Sequence, residues 1–162
     1  MDRSIIALQA ETWIGTKFHH QGRVKKTKRN NGAVDCIGLI VGISDELNLK
    51  SHITDKQGRK KSFIDVDQKT YSREPQGQKL KEALDLFLDP IDISEAGPGD
   101  VLLFTLARFP QHVAVIADHG GEGLAIIHAY QPVKFVCKHH LCDKWKRRIC
   151  AAYRFRNTAF EG

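Results

Sequence analysis

Val34-Asp35-Cys36-Ile37-Gly38-Leu39-Ile40 stands where a turn-rich segment, Asn30-Asn31-Gly32, gives way to an apolar run with helical spacing. Ile40, Ile43 and Leu47 recur on one face with Leu39 beside them, so a helix is expected to begin near Cys36. A thiol at that position lies over unpaired N–H groups and the positive end of the helix dipole, which favours the nucleophilic thiolate. Gly38 and Gly42 each cost such a helix about 1 kcal/mol against alanine. Their expected compensation is close packing against a sheet. Downstream, Gln111-His112-Val113 and Ile127-His128-Ala129 each set a histidine in a strand-like run. One cysteine followed at long range by two such histidines is the sequence pattern of a thiol hydrolase.

Working outward, residues 3–14 read as a short helix with Ile6, Ala10 and Trp13 on one face, widened by Ile5 and Leu8. A loop rich in Lys, Arg, Asn and Gly covers 15–33. From 50 to 78 the chain is a polar insertion, read as a surface hairpin or a poorly ordered stretch. A third helix is expected over 78–88, with Leu80, Leu84 and Leu88 at four-residue steps and Asp89-Pro90 stopping it. Gly97-Pro98-Gly99-Asp100 then opens a β half. Strands are expected at 101–106, 112–117, 124–130 and 150–155, with a weaker one at 133–136 and a hairpin turn at 118–123. Helices first and antiparallel strands after imply an α+β fold, taken as one domain over 1–162.

Composition narrows the partners. The chain has 162 residues, enough to bury a substantial core, and no apolar run approaches the ~20 residues of a membrane span. Gln9 and Glu11 interrupt the start before a signal-peptide core develops, so synthesis in the cytoplasm and delivery by another route are expected. The net charge of +6 suits an anionic partner or simply a basic surface. The four cysteines, at 36, 137, 142 and 150, are expected to be reduced.

Three roles follow from the residues: Cys36 as nucleophile, His112 as general base at a strand start, and His128 on the neighbouring strand holding the His112 ring in one tautomer. His20, just upstream of the nucleophile loop, is placed to line the cleft. Cys137-Lys138-His139-His140-Leu141-Cys142, with Cys150 further on, competes as a zinc site, but its spacing lacks the paired knuckles of well-formed structural sites and Cys150 also fits the final strand as a core residue. No metal or other cofactor is expected, and His139 and His140 are read as loop residues. The basic runs 23–29 and 144–148 match no groove-reading motif and read as solvated faces, which argues against nucleic acid.

Asp35-Cys36-Ile37-Gly38-Leu39 resembles the D-C-x-G-L nucleophile motif of NlpC/P60 cysteine peptidases. Gly99-Asp100-Val101-Leu102-Leu103-Phe104 is similar to their G-D-L-x-F strand, leading to His112-Val113, and Ile127-His128-Ala129 resembles their third catalytic segment. The opening around Ala10 to Phe18, His20-Gln21, and the ending Trp145 to Phe155 are similar to the phage-type cell-wall peptidases of that family, which are encoded among tail genes of prophages and gene-transfer agents. The resemblance covers roughly 4–50 and 97–156. It implies a papain-like fold with N-terminal helices packed on a central antiparallel sheet. It also implies cleavage of peptidoglycan stem peptides, usually between γ-D-glutamate and a diamino acid, through a thioacyl-enzyme on a Cys36-His112-His128 triad. Phe18, His20, Asp35 and Gln111 are carried over as substrate-binding positions. Phe18 stands where many relatives have tyrosine, keeping the ring without the hydroxyl. The alternatives are a tail-assembly or interaction module with the same fold and little or no catalysis, and an amidase or acyltransferase on that fold.

Overall fold

The computed structural model describes residues 2–62 and 78–156. Part of the polar insertion therefore lies outside the described residues. Among the described residues the α-helices are α1 (Ser4–Glu11), α2 (Cys36–Glu46), α3 (Gln78–Phe87) and a short α4 (Asp143–Lys146). Two strand pairs, β1 (Arg23–Val24) with β2 (Ala33–Val34) and β3 (Lys50–Thr54) with β4 (Lys60–Ser62), are small antiparallel ribbons. The second of these shows the first part of the insertion as a hairpin.

The main sheet comprises β5 (Asp89–Ile91), β6 (Val101–Leu106), β7 (Phe109–Asp118), β8 (Leu124–Tyr130), β9 (Phe135–His140) and β10 (Ile149–Arg154). Its order is β5-β10-β6-β7-β8-β9, antiparallel throughout. The α+β expectation holds. Pro90 stops α3 and then takes part in β5, an edge strand, where proline is tolerated.

Strand alternation divides the core in two. Val101, Leu103, Val113, Val115, Ile127 and Ala129 face α1, α2 and α3, where they meet Ile6, Ala10, Trp13, Leu39, Ile40, Ile43 and Leu84. Leu102, Phe104, Ala114, Ile116 and Ile126 point the other way, under a cover made by Leu141 and Trp145. The helix-side periodicity was readable, but Ile5 and Leu8 of α1 are exposed instead of widening the buried face.

The two helical glycines do serve close packing, though not against the sheet. A Cβ on Gly42 would stand 2.3 Å from the Trp13 ring of α1, and one on Gly38 would stand 2.3 Å from the Gly22 carbonyl oxygen. Gly38 thus lets the loop before β1 press onto the start of α2. The Gly99-Asp100 turn has an equally local reason. Gly99 has φ +92° against the Arg3 backbone, and the Asp100 carboxylate, fully buried, pairs with Arg3 at 2.9 Å and Arg154 at 3.0 Å. That clamp joins the start of α1, the start of β6 and the end of β10.

The expected fifth strand at 133–136 is displaced to Phe135–His140, because Lys134 takes φ 74° and turns the chain there. His139 and His140 are consequently strand residues. The charge run at 144–148 holds α4, whose Trp145 is buried over the sheet.

Candidate active site

Asp35 builds the start of α2. Its backbone is extended, and its carboxylate accepts from Gly38 N–H at 2.7 Å, from the Arg23 guanidinium at 2.9 Å and from Gln21 N–H at 2.8 Å. The first is an N-cap bond, worth about 1 kcal/mol in typical cases. The other two tie the preceding loop beneath the helix. Both carboxylate oxygens are thus engaged and the residue is 3% exposed, so Asp35 shapes the site from below.

Cys36 follows as the first residue of α2 and is half-buried. Enough protein surrounds its sulfur that desolvation, followed by the Asp35 charge, pushes the thiol up to about 12. The Val113 and Ile37 N–H groups and the Arg23 charge act in the opposite direction without prevailing. Desolvation and the neighbouring carboxylate thus act against the resting thiolate expected at the helix start.

Val113 identifies where the sulfur meets the sheet. The ladder between β7 and β8 runs from Asp118↔Leu124 to Val115↔Ile127 and ends there. Past that point the two strands are not paired with each other, and the Val113 N–H faces Cys36. His112 is the next residue along β7. Its ring belongs to the outer face, beside Phe104, Tyr130 and Trp145. Among the described residues no hydrogen bond joins Cys36 to His112 in this resting arrangement.

The two histidines are brought together. His112 Nε2 and His128 Nδ1 are 2.6 Å apart, with His112 6% and His128 0% exposed. A third histidine extends the chain: His128 Nε2 lies 2.8 Å from His139 Nε2, and His139 Nδ1 lies 3.0 Å from the His140 carbonyl oxygen. Burial, then the His139 and Arg148 charges, lowers His112 to about 3. Burial, then the charges of His112 and His139, lowers His128 to about 2.

Hydrogen-bond chemistry orders the protons along this chain when the rings are neutral. A carbonyl only accepts, so His139 carries its proton on Nδ1 and presents a lone pair at Nε2. His128 then donates from Nε2 and accepts at Nδ1, which requires His112 to donate from Nε2. The remaining nitrogen of His112, Nδ1, is left with a lone pair. A general base needs that form.

The other expected positions are placed as follows. Phe18 bridges Val34 beside the nucleophile segment, donates its N–H to the Lys134 carbonyl at 2.8 Å, and packs against the helix-side core. With Lys17, Gln131, Pro132 and Lys134 it lines an open depression of about 480 Å³. His20, half-buried, lies between His19, whose N–H donates to Val34, and Gln21, whose N–H donates to Asp35. Gln111 donates its side-chain amide to the Leu106 carbonyl, closing the β6–β7 turn. His139 was missed because its alternation with Cys137 is masked by Lys138 and His140, and only pairing with β8 brings it to His128.

A cysteine at a capped helix start, set against an antiparallel sheet that carries paired histidines, is the arrangement of the NlpC/P60 fold, and the chain has that fold. No family model matches the sequence, and no curated sequence does. Among solved structures, the chain is similar to NlpC1 from Trichomonas vaginalis, with a TM-score of 0.60 and 19% identity over 95% of this chain and 44% of that one. It is similar also to the NlpC/p60 domain of the peptidoglycan hydrolase SagA, with a TM-score of 0.54 and 20% identity over 96% of this chain and 100% of that domain. A third is an NLP/P60-family protein, similar to a lipoprotein, from Staphylococcus aureus, with a TM-score of 0.53 and 18% identity over 94% of this chain. The chain spans 41% of that protein's length.

Proposed function

We propose that the protein is a cysteine hydrolase of the bacterial cell wall that cuts peptidoglycan stem peptides, in a single catalytic domain over 1–162. One observation carries this reading: the Cys36 sulfur meets the Val113 N–H at the open end of the β7–β8 ladder, one residue from a hydrogen-bonded histidine pair. Similarity to the SagA domain supports the substrate class.

In this reading the resting site holds a neutral thiol and neutral imidazoles. Cys36 attacks the scissile carbonyl as His112 Nδ1 takes the thiol proton, so thiolate forms only with substrate in place. The new C–S bond yields a tetrahedral oxyanion that the Cys36 N–H at the helix start stabilises. His112 then returns the proton to the departing amine as the C–N bond breaks, and water releases the thioacyl group by the reverse proton path. His128 holds the His112 Nε2 proton throughout. The bond cut is the γ-D-glutamyl–diamino acid link, and the depression beside Phe18, with Lys17 and Lys134 on its rim, takes the stem-peptide carboxylates. Carriage in a phage tail or similar particle supplies the route to the wall.

Defined muropeptides incubated with the protein should yield two fragments separated at that link, read by mass, and Cys36→Ala should lower the rate about a thousandfold or more with an unchanged circular dichroism spectrum. Normal turnover by the variant refutes the reading. A second reading, a tail-assembly or interaction module, is favoured by the thiol held near 12 and by Phe18 in place of a hydroxylated ring. It expects no cleavage by the parent protein.

A further inference from the structure

The outer face of the sheet holds a second cluster that the hydrolytic scheme uses only in part. His128 on β8 is directly paired with Cys137 on β9, and His139 lies two residues further along β9 on the same face. One ligand atom from each of His128, Cys137 and His139 lies within 4.8 Å of the others. We propose that these three residues form an inhibitory site for a borderline-soft divalent cation of the zinc class, which switches the cysteine site off by reversing the proton order in the histidine chain.

The donor set is the first argument. One thiolate and two imidazoles suit zinc-class cations and are unsuited to magnesium or calcium, which take oxygen ligands. Ring orientation is the second. His139 Nδ1 already faces the His140 carbonyl at 3.0 Å, and His128 Nδ1 faces His112 at 2.6 Å. Metal-binding histidines commonly use their other nitrogen in this way, so the two Nε2 atoms are the ones left for the ion. These atoms stand 2.8 Å apart, against about 3.3 Å in a tetrahedral site with Zn–N near 2.0–2.1 Å. The rings therefore need to part by about half an ångström. Shielding is the third argument. Trp145 lies 5.1 Å from the His128 ring and 5.6 Å from the His139 ring, and Tyr130 stacks on His128 at 5.0 Å.

The consequence for Cys36 follows by counting protons. Without metal, the chain holds protons on His112 Nε2, His128 Nε2, His139 Nδ1 and the Cys137 thiol. The ion takes the Cys137 sulfur as thiolate and displaces the proton from His128 Nε2. His128 then holds its proton at Nδ1, where it donates to His112 Nε2, and His112 carries its own on Nδ1. Three protons remain, so one is released on binding. The lone pair that served as base is gone, and substrate thiolysis stops although the ion never touches Cys36. This inhibitory role rests on the hydrolase reading, whereas the binding site itself does not.

Cobalt(II) added to the full chain tests the site directly, through its thiolate charge-transfer band and tetrahedral visible bands. The expected result is one ion per chain, with the band kept in Cys36→Ser and lost in Cys137→Ser. His139→Gln, checked for fold by circular dichroism, should weaken binding about tenfold or more. In the hydrolysis assay, zinc(II) should inhibit the parent protein and a chelator should restore it. The inhibition constant should rise at least about tenfold in Cys137→Ser, each measured against its own metal-free rate. Loss of the band in Cys36→Ser with retention in Cys137→Ser, or equal zinc inhibition of Cys137→Ser and the parent, overturns the proposal. A cobalt site in a chain that cleaves nothing even without metal keeps the ion site but removes the hydrolase reading and the switch with it.

Discussion

Lowering the pH from 6.5 to 4.5 should destabilise the fold through His112 and His128. Both are buried and held neutral, at about 3 and about 2 against an ordinary 6.5. Below 6.5 the unfolded chain binds protons that the folded chain refuses, so stability is complete above 6.5 and falls as the pH drops toward the folded values. Over two pH units each histidine accounts for about 2 kcal/mol, or roughly 4–5 kcal/mol for the pair. That rivals the whole stability of many domains, roughly 5–15 kcal/mol. Carboxylates contribute mainly below this window. Urea unfolding followed by far-ultraviolet circular dichroism at pH 7.0, 5.5 and 4.5 measures the effect. The double variant His112→Gln/His128→Gln should lose most of the pH slope, whatever its absolute stability. A parent protein whose unfolding free energy changes by less than about 1 kcal/mol across the window refutes the buried neutral pair.

Cys36 should resist alkylation: with the thiol pushed up to about 12, iodoacetamide at pH 7 should modify it at least about tenfold more slowly in the folded protein than in the urea-unfolded chain, read by peptide mass mapping. Hydrolysis by the neutral pair should give a kcat profile without a break near 6.5, and a sharp break there in stopped assays sinks the tautomer assignment. Asp35→Ala leaves Arg23 and two N–H groups without their carboxylate, and should cost about 3 kcal/mol or more in denaturant unfolding. Gly42→Ala drives a methyl into the Trp13 ring and should lower stability by about 1–3 kcal/mol, measured by the thermal midpoint.

Much of this architecture was legible because it is local. The helical spacing of Leu39, Ile40 and Ile43 and the continuous apolar runs Val101-Leu102-Leu103-Phe104 and Val113-Ala114-Val115-Ile116-Ala117 announce their elements before any tertiary contact forms. The Cys36 helix start and the adjacent-strand histidines were legible for the same reason. Strand β9 was not, since Lys138 and His140 hide its period and the turn at Lys134 needs a left-handed backbone that the sequence does not advertise. His139 was lost with it. The thiol's high value was also out of reach, because it depends on the crowding of a distant strand and on the charge of Asp35.

The position of β10 has a further consequence. Strand β10 lies between β5 and β6, and its Arg154 closes over the buried Asp100. A growing chain can pair β6, β7, β8 and β9 as they emerge, yet β5 has no neighbour until residues 149–154 are made. Asp100 likewise waits for its second cation. Completion of the sheet is therefore a late, long-range event, slow by the ordinary relation between contact distance and folding rate. Until residues 149–154 are made, β6 carries an open strand edge on the side that β10 later covers.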